Sequence, residues 1–180
     1  MPKTPLDGAL VLIAAWGVIG LAGLLRPHSV RFVGRVLFPL SAACGLALAV
    51  VAAGGVTAPT GHALLVVGLP DLPVHLRCDA LSCLFLMVLG GATAGISLFA
   101  GGYFRQGHGA APGLLCLQYH IFLASMGLVL LADDAYAFMV AWESMALSSY
   151  FLVTTQHRLA EIRRAGFLYL LIAHLGAISR

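Results

Sequence analysis

The chain has 180 residues, of which 61% are hydrophobic and only 9% are charged. A soluble domain carries about 25% charged residues, so too few charges remain here to cover a water-facing surface. The formal net charge of +3 includes no long run of lysine or arginine, which excludes nucleic acid as a partner. The composition predicts an all-α polytopic membrane protein.

Uncharged apolar runs indicate where the chain crosses the bilayer. Four runs, residues 8–25, 36–56, 80–104 and 114–132, are long enough to cross about 30 Å of hydrocarbon as helices. A fifth run, residues 135–155, contains one charge, Glu143, and a sixth, residues 165–178, has only 14 residues. We therefore expect five full transmembrane helices plus a truncated sixth, in a chain that stops inside a helix.

The longest loop between predicted spans, residues 57–79, contains two strand patterns. Residues 64–69 are apolar, and residues 74–79 alternate apolar with polar side chains. The prolines at both ends of residues 70–73 predict a turn between them. We expect a short β-hairpin near residues 57–79, on the outer surface.

Basic residues fall unevenly on the two sides of the predicted bundle. Lys3 and Arg77 share one side, and seven arginines share the other. Those seven are Arg26, Arg31, Arg35, Arg105, Arg158, Arg163 and Arg164. Because loops rich in lysine and arginine stay cytoplasmic, the pattern predicts a multi-pass protein of the inner cell membrane with its N-terminus outside.

Only two of the four cysteines, Cys78 and Cys83, are close in sequence. A single pair does not supply the four ligands of a structural zinc site, and apolar packing is the simpler interpretation of all four thiols. A disulfide across Cys78 and Cys83 would require an oxidising face and a bend between the two residues. That alternative stays open at this point.

Ionisable groups inside a membrane are costly and indicate function by default. Helix geometry places Glu143 about 12 Å from the outer end of its run, and places His120 and His174 about 9 and 14 Å from the cytoplasmic ends of theirs. The similar depth predicts a side-chain relay for a translocated ion, since histidine exchanges protons near neutral pH. The alternatives are a static hydrogen-bonded acid and two structurally satisfied histidines. We predict no catalytic residue, bound cofactor or metal.

Two further patterns concern the connection between two runs and the packing of helices. Asp133 and Asp134 join the fourth and fifth runs, and we interpret them as a solvated turn, with a funnel for cations as the alternative. Gly17, Gly20 and Gly23 in the first run, and the pair Gly91 and Gly95 in the third, have spacings that let helices approach closely in lipid. General glycine richness explains the same positions equally well.

Residues 133–153, with the Trp142-Glu143 pair followed by Leu147, Ser149 and Tyr150, resemble the fifth-helix signature of antiporter-like membrane subunits. This family spans respiratory complex I, Mrp antiporters and group 4 hydrogenases, and the hydrogenase-4 and formate hydrogenlyase branch is the most similar. Residues 79–82 and 166–176 agree with it as well. The resemblance covers nearly the whole chain, although Ser144 stands where the family usually has a bulky aliphatic residue.

The resemblance implies a proton- or sodium-translocating subunit of a hydrogenase or NADH:quinone-type oxidoreductase complex. It would work with other membrane and peripheral subunits, which carry out the electron transfer. Residues 1–132 would hold the first four helices and the outer hairpin, and residues 133–180 the truncated start of the translocating domain. Glu143 would match the family glutamate that works with lysines on later helices, which this chain lacks.

Two other functions remain open from the sequence alone. His120 and His174 have similar depth and would serve as axial ligands in a haem-binding membrane anchor. A truncated structural or non-functional product is the third interpretation. The chain shows no redox centre of its own, so any enzymatic activity would belong to a larger complex.

Overall fold

The computed structural model describes residues 4–65, 73–103, 111–156 and 160–178. Across these ranges the chain forms six long helices and one pair of short strands. The helices are α1 (Pro5–Gly23), α2 (Val30–Gly55), α3 (Ala80–Tyr103), α4 (Pro112–Leu131), α5 (Ala135–Val153) and α6 (Ala160–Ile178), and the strands are β1 (Gly61–Leu65) and β2 (Val74–Cys78). The helix α2 includes a π-helical turn at Val33–Leu37. A mostly helical protein with a small sheet is the predicted class.

Helices α1 to α4 are each long and apolar enough to cross a membrane. They overlap the first four uncharged runs of the sequence, which confirms four helices there as candidate membrane spans. The side chain of Thr4 accepts a hydrogen bond from the amide of Asp7, and the carboxylate of Asp7 accepts one from the amide of Thr4. This capping box satisfies two amides at the start of α1 and fixes where the first helix begins.

Helices α5 and α6 differ from the first four. With 19 residues, α5 is as long as α1, but Glu143 and three serines make it less hydrophobic. A fifth full span is therefore still a prediction. Helix α6 also has 19 residues and begins at Ala160. It starts before the uncharged run of residues 165–178, because its first turn includes the charged residue Glu161. The predicted partial sixth span is thus the apolar part of a longer helix.

Glycines allow α2 and α3 to pack closely. A Cβ added at Gly90 would lie 2.8 Å from the backbone nitrogen of Ala49, and one added at Gly45 would lie 2.8 Å from the carbonyl oxygen of Gly90. By contrast, an added Cβ at Gly91 or Gly95 meets no atom of the described residues within 4 Å. The close approach predicted at Gly91 and Gly95 is therefore wrong within this chain, because Gly90 faces α2 instead.

The predicted contact of α1 is confirmed at Gly20 and Gly23 but not at Gly17, where an added Cβ would meet no described atom within 4 Å. Gly20 lies against His120 of α4, and Gly23 lies against Cys116 and Gly113 of the same helix. The core between the first four helices contains side chains with no exposed surface, including Trp16, Leu48, Leu86 and Cys116. The four spans therefore form one packed bundle.

The two strands pair antiparallel in the register Gly61 with Cys78 and Leu65 with Val74. This pairing confirms a hairpin and the second predicted strand, whereas β1 begins before the predicted run 64–69 and overlaps it only at residues 64 and 65. Residues 66–69 of that run and residues 70–72 of the predicted turn lie outside the described residues. A bridge from Leu76 to Ala132 attaches the sheet to the end of α4. The sheet therefore lies at the junction between α4 and α5, at the end of the bundle where α3 begins.

Candidate ion-translocation site

Glu143 lies near the middle of α5 and is partly buried. The adjacent Trp142 stacks on Phe138, one turn earlier, with ring centroids 5.6 Å apart. Ala137 and Ala141 are buried, and these small side chains let α5 pack along α4. The helix thus holds a carboxylate about 12 Å from its start beside an ordered aromatic pair.

The serines around Glu143 have different partners. Ser144 and Ser148 donate to backbone carbonyls one turn earlier, those of Val140 and Ser144, both at 2.8 Å. Ser149 likewise donates to the carbonyl of Ala146 at 2.9 Å, and it also contacts the hydroxyl of Tyr169 on α6 at 2.7 Å. All three serines therefore bond to their own helix, and Ser149 in addition links two helices.

The contact between Ser149 and Tyr169 sets the register of the antiparallel helices α5 and α6. A second contact agrees, because Gly166 lies against Tyr150 and Thr154. Glu143 is six residues before Ser149, and His174 is five residues after Tyr169. The backbones of Glu143 and His174 therefore lie at a similar level, although the side chain of His174 is outside the described residues.

His120 is completely buried in the bundle of the first four helices. Its Nδ1 atom lies 2.7 Å from the carbonyl oxygen of Cys116, and its Nε2 atom has no hydrogen-bond partner among the described residues. The ring packs edge-on against Tyr119 at 5.3 Å and beside Phe38 at 6.3 Å. These contacts place His120 against α1 and α2, whereas Glu143 lies on α5.

A buried polar cluster beside His120 was missed from the sequence. Ser97 of α3 donates to Ser41 of α2 at 3.2 Å and contacts the hydroxyl of Tyr119 at 3.0 Å. The cluster is formed by hydroxyl groups from three helices, each within an uncharged run. A hydroxyl inside an uncharged span is the only local signal that sequence inspection offers for it.

Asp133 and Asp134 form the predicted turn, in which Asp133 is exposed and Asp134 is half-buried, but their carboxylates also have specific partners that the sequence did not predict. One oxygen of Asp134 accepts from the amide of Ala137 at 2.7 Å, and the other accepts from the amide of His75 at 2.7 Å. Asp133 lies 3.2 Å from Nε of Arg77 and 3.9 Å from Nδ1 of His62. The pair therefore clamps the sheet onto the start of α5.

Hydrogen bonding favours the charged form of two carboxyl groups at this end of the bundle. Amides of Ala137 and His75 hold the pKa of Asp134 below its usual value. The amide and hydroxyl of Ser82 at the start of α3 do the same for Asp79, assisted by Arg77. Both carboxylates begin helices that continue into the bundle, so their charge also matches the helix dipole.

No family model matches the chain. It is 37% identical over 103 residues to hydrogenase-4 component B of Escherichia coli (strain K12), an alignment that covers 57% of this chain and 15% of that protein. It is also 34% identical over 112 residues to two uncharacterized proteins of Mycobacterium tuberculosis, MT0090 of strain CDC 1551 / Oshkosh and Rv0083 of strain ATCC 25618 / H37Rv. Those alignments cover 62% of this chain and 17% of each relative.

The chain spans less than a fifth of the length of the curated relatives that it matches. The partial identity supports a related family of membrane subunits. Together with four helices suited to crossing a bilayer, it indicates a multi-pass membrane protein. The family signature found in the sequence is consistent with this relationship.

Proposed function

We propose that the chain is part of an antiporter-like subunit that translocates protons or sodium in a membrane-bound hydrogenase or a related oxidoreductase complex. The observation that carries this proposal is the partly buried carboxylate of Glu143 near the middle of α5. A carboxylate at such a depth requires support from water, a cation or a proton. It therefore provides a site that an ion can occupy and leave.

The dimensions of α5 support a fifth membrane span. Its 19 residues reach about 28 Å as a helix, close to the roughly 30 Å of a hydrocarbon core. The short connection from α4 makes the two helices antiparallel neighbours. In this arrangement Glu143 lies near the bilayer midplane, which is the depth that an ion must pass.

His174 is the proposed proton partner of Glu143. The register between α5 and α6 puts the two backbones at one level, and histidine changes protonation state near neutral pH. His120 contributes a second proton-exchanging group in the adjacent bundle. Its Nε2 atom has no hydrogen-bond partner among the described residues, so it can bind a water or a proton. Translocation would then use Glu143, His174 and His120.

Orientation and partners follow from the same reasoning. The excess of arginine on one side favours an outer N-terminus and an outer sheet. Large apolar side chains such as Val11, Val18, Val50 and Phe99 are exposed on the helices, and lipid or neighbouring membrane subunits would cover them. The match to a hydrogenase component supports assembly with other subunits of a hydrogenase complex, where electron transfer would occur.

The test compares Glu143→Gln with Glu161→Gln in vesicles that hold the complete complex. Glutamine keeps the size of glutamate but cannot release a proton, and Glu161 is an exposed matched control at the start of α6. We expect electron-transfer-driven ion uptake to fall to a small but measurable residual rate in Glu143→Gln and to stay normal in Glu161→Gln. Normal uptake in Glu143→Gln at equal protein abundance would make Glu143 a packing residue and refute the proposal.

The haem-anchor alternative receives less support. The Nε2 atom of His120 has no hydrogen-bond partner among the described residues, as an axial ligand would require. However, the ring is enclosed by Phe38, Tyr119 and α1, which leaves no space for a porphyrin beside it. A visible absorption band of the purified complex that disappears in both His120→Gln and His174→Gln would favour the anchor instead.

A further inference from the structure

The thiols of Cys78 and Cys83 lie side by side where β2 leads into α3. Their Sγ atoms are 3.2 Å apart, and both residues are buried. The chain bends between them at Asp79, whose carbonyl accepts from the amide of Cys83 at 2.9 Å and whose carboxylate accepts from the amide of Ser82 at 2.8 Å. The bend that a disulfide requires at this spacing is therefore present.

The other cysteines have separate environments. Cys44 donates to the carbonyl of Leu12 on α1, and Cys116 contacts His120 within α4. The Sγ atom of Cys83 also lies against the ends of α1 and α2, where a Cβ added at Gly55 would be 2.6 Å from it. The thiols of Cys78 and Cys83 are thus adjacent to each other, buried, and separate from the other two cysteines.

We propose that Cys78 and Cys83 form a disulfide that fastens β2 to the first turn of α3. A disulfide needs a sulfur separation of about 2.05 Å, so the two atoms have to approach by only about 1 Å. The proposal rests on the outer orientation of the sheet in the proposed function, because structural disulfides persist on the oxidising side of a membrane.

The oxidant is a protein dithiol–disulfide oxidase. One cysteine thiolate attacks its disulfide, which breaks and releases one oxidase thiol. The second cysteine thiolate then attacks the mixed disulfide, so that the Cys78–Cys83 bond forms and the second oxidase thiol leaves. Two electrons and two protons pass in total from the cysteine pair to the oxidase.

This exchange has to take place before the sheet docks. Both thiols are buried, which keeps an oxidase from reaching them, and burial with the neighbouring Cys83 thiol raises the pKa of Cys78 to about 12, so Cys78 holds almost no reactive thiolate at neutral pH. Exposure of the pair during membrane insertion removes this barrier. Once the bond has formed and the sheet has packed, burial protects it from reductants.

The experiment counts free thiols in the full chain expressed in its native membrane. Cells are quenched with acid, the protein is denatured in detergent, and a polyethylene glycol maleimide is added with or without prior reduction. Because the chain has four cysteines, the proposal predicts two adducts before reduction and four after. Cys78→Ser and Cys83→Ser are matched controls, and each should give three adducts in both conditions.

Four adducts before reduction, or two adducts only in samples that were not quenched, would overturn the disulfide. The orientation is measured separately with a membrane-impermeant maleimide on Thr60→Cys and His108→Cys, of which position 60 should react from outside and position 108 from the cytoplasm. Free thiols with position 60 outside refute the disulfide alone. A disulfide with normal ion uptake in Glu143→Gln refutes the proposed function alone.

Discussion

Asp134 connects His75, a residue 59 positions earlier, to the helix that carries Glu143. One oxygen of its carboxylate accepts the backbone amide of His75, and the other caps α5 through the amide of Ala137, both at 2.7 Å. The sheet and α5 are therefore held by the same side chain. Such a clamp helps to set the position of α5 relative to the sheet and α4.

Substitution of Asp134 should separate its two contributions. Asp134→Ala removes both acceptors, and we expect a loss of about 1 kcal/mol of stability for the helix cap, with a further loss for the unpaired amide of His75. Asp134→Asn keeps an oxygen at the cap and should retain most of the stability. Thermal unfolding of the purified protein in detergent measures both changes. Equal unfolding temperatures for Asp134→Ala and the unchanged chain would contradict the clamp.

Acid should loosen the same contact. Hydrogen bonds lower the pKa of Asp134 in the folded chain, so its contribution to stability is complete above the unfolded value of about 3.9 and is lost as the pH falls through the lower folded value. Amide hydrogen exchange at His75 and Ala137 should therefore stay slow from neutral pH down to about 4 and accelerate below the folded value. Asp134→Asn, which carries no titrating group at this position, should not show that acceleration beyond the intrinsic pH dependence.

The first four candidate spans were predictable because a helix that crosses the bilayer needs an uncharged apolar run of matching length. The start of α6 could not be predicted in this way, since Glu161 lies in its first turn and a charged residue ends an uncharged run. A long charged side chain at a helix end can keep its charged group in water. The sequence also identified Gly20 and Gly23 as contact residues but selected Gly91 rather than Gly90. Spacing identifies which residues share a face, whereas the rotation of that face depends on the neighbouring helix.

The candidate site was partly predictable for similar reasons. Glu143 stands out as the one charge in a long apolar run. Ser41, Ser97 and Tyr119 do not stand out, because each lies on a different helix and only tertiary packing brings them together. The role of Asp134 was hidden because its partner His75 is remote in sequence. Local patterns therefore found the isolated charge of α5, whereas the polar cluster beside His120 and the contacts of Asp134 required the fold.

Gly90 and Gly91 provide a matched pair for testing the contact between α2 and α3. Gly90→Ala places a Cβ against the backbone of α2, where side chains cannot move away, so we expect a loss of about 1–3 kcal/mol. Gly91→Ala meets no described atom within 4 Å and should be neutral or slightly stabilising in a helix. Thermal unfolding in detergent distinguishes them. If both variants unfold at one temperature, Gly90 is not at a tight interface.

Coupling between Glu143 and His174 is the strictest test of the proposed relay. We expect His174→Gln to reduce ion uptake on the order of tenfold or more, as for loss of a positioned proton-transfer group. If both residues serve one path, ion uptake by the double variant Glu143→Gln/His174→Gln should be no slower than uptake by Glu143→Gln alone. The effects of substituting groups that act as a unit are not additive. To keep this comparison measurable, uptake is recorded at high driving force and normalised to protein abundance. His62→Gln, on the exposed strand β1, is the control and should leave uptake unchanged. Normal uptake in His174→Gln would remove this histidine from the path and leave His120 as the remaining histidine of the relay.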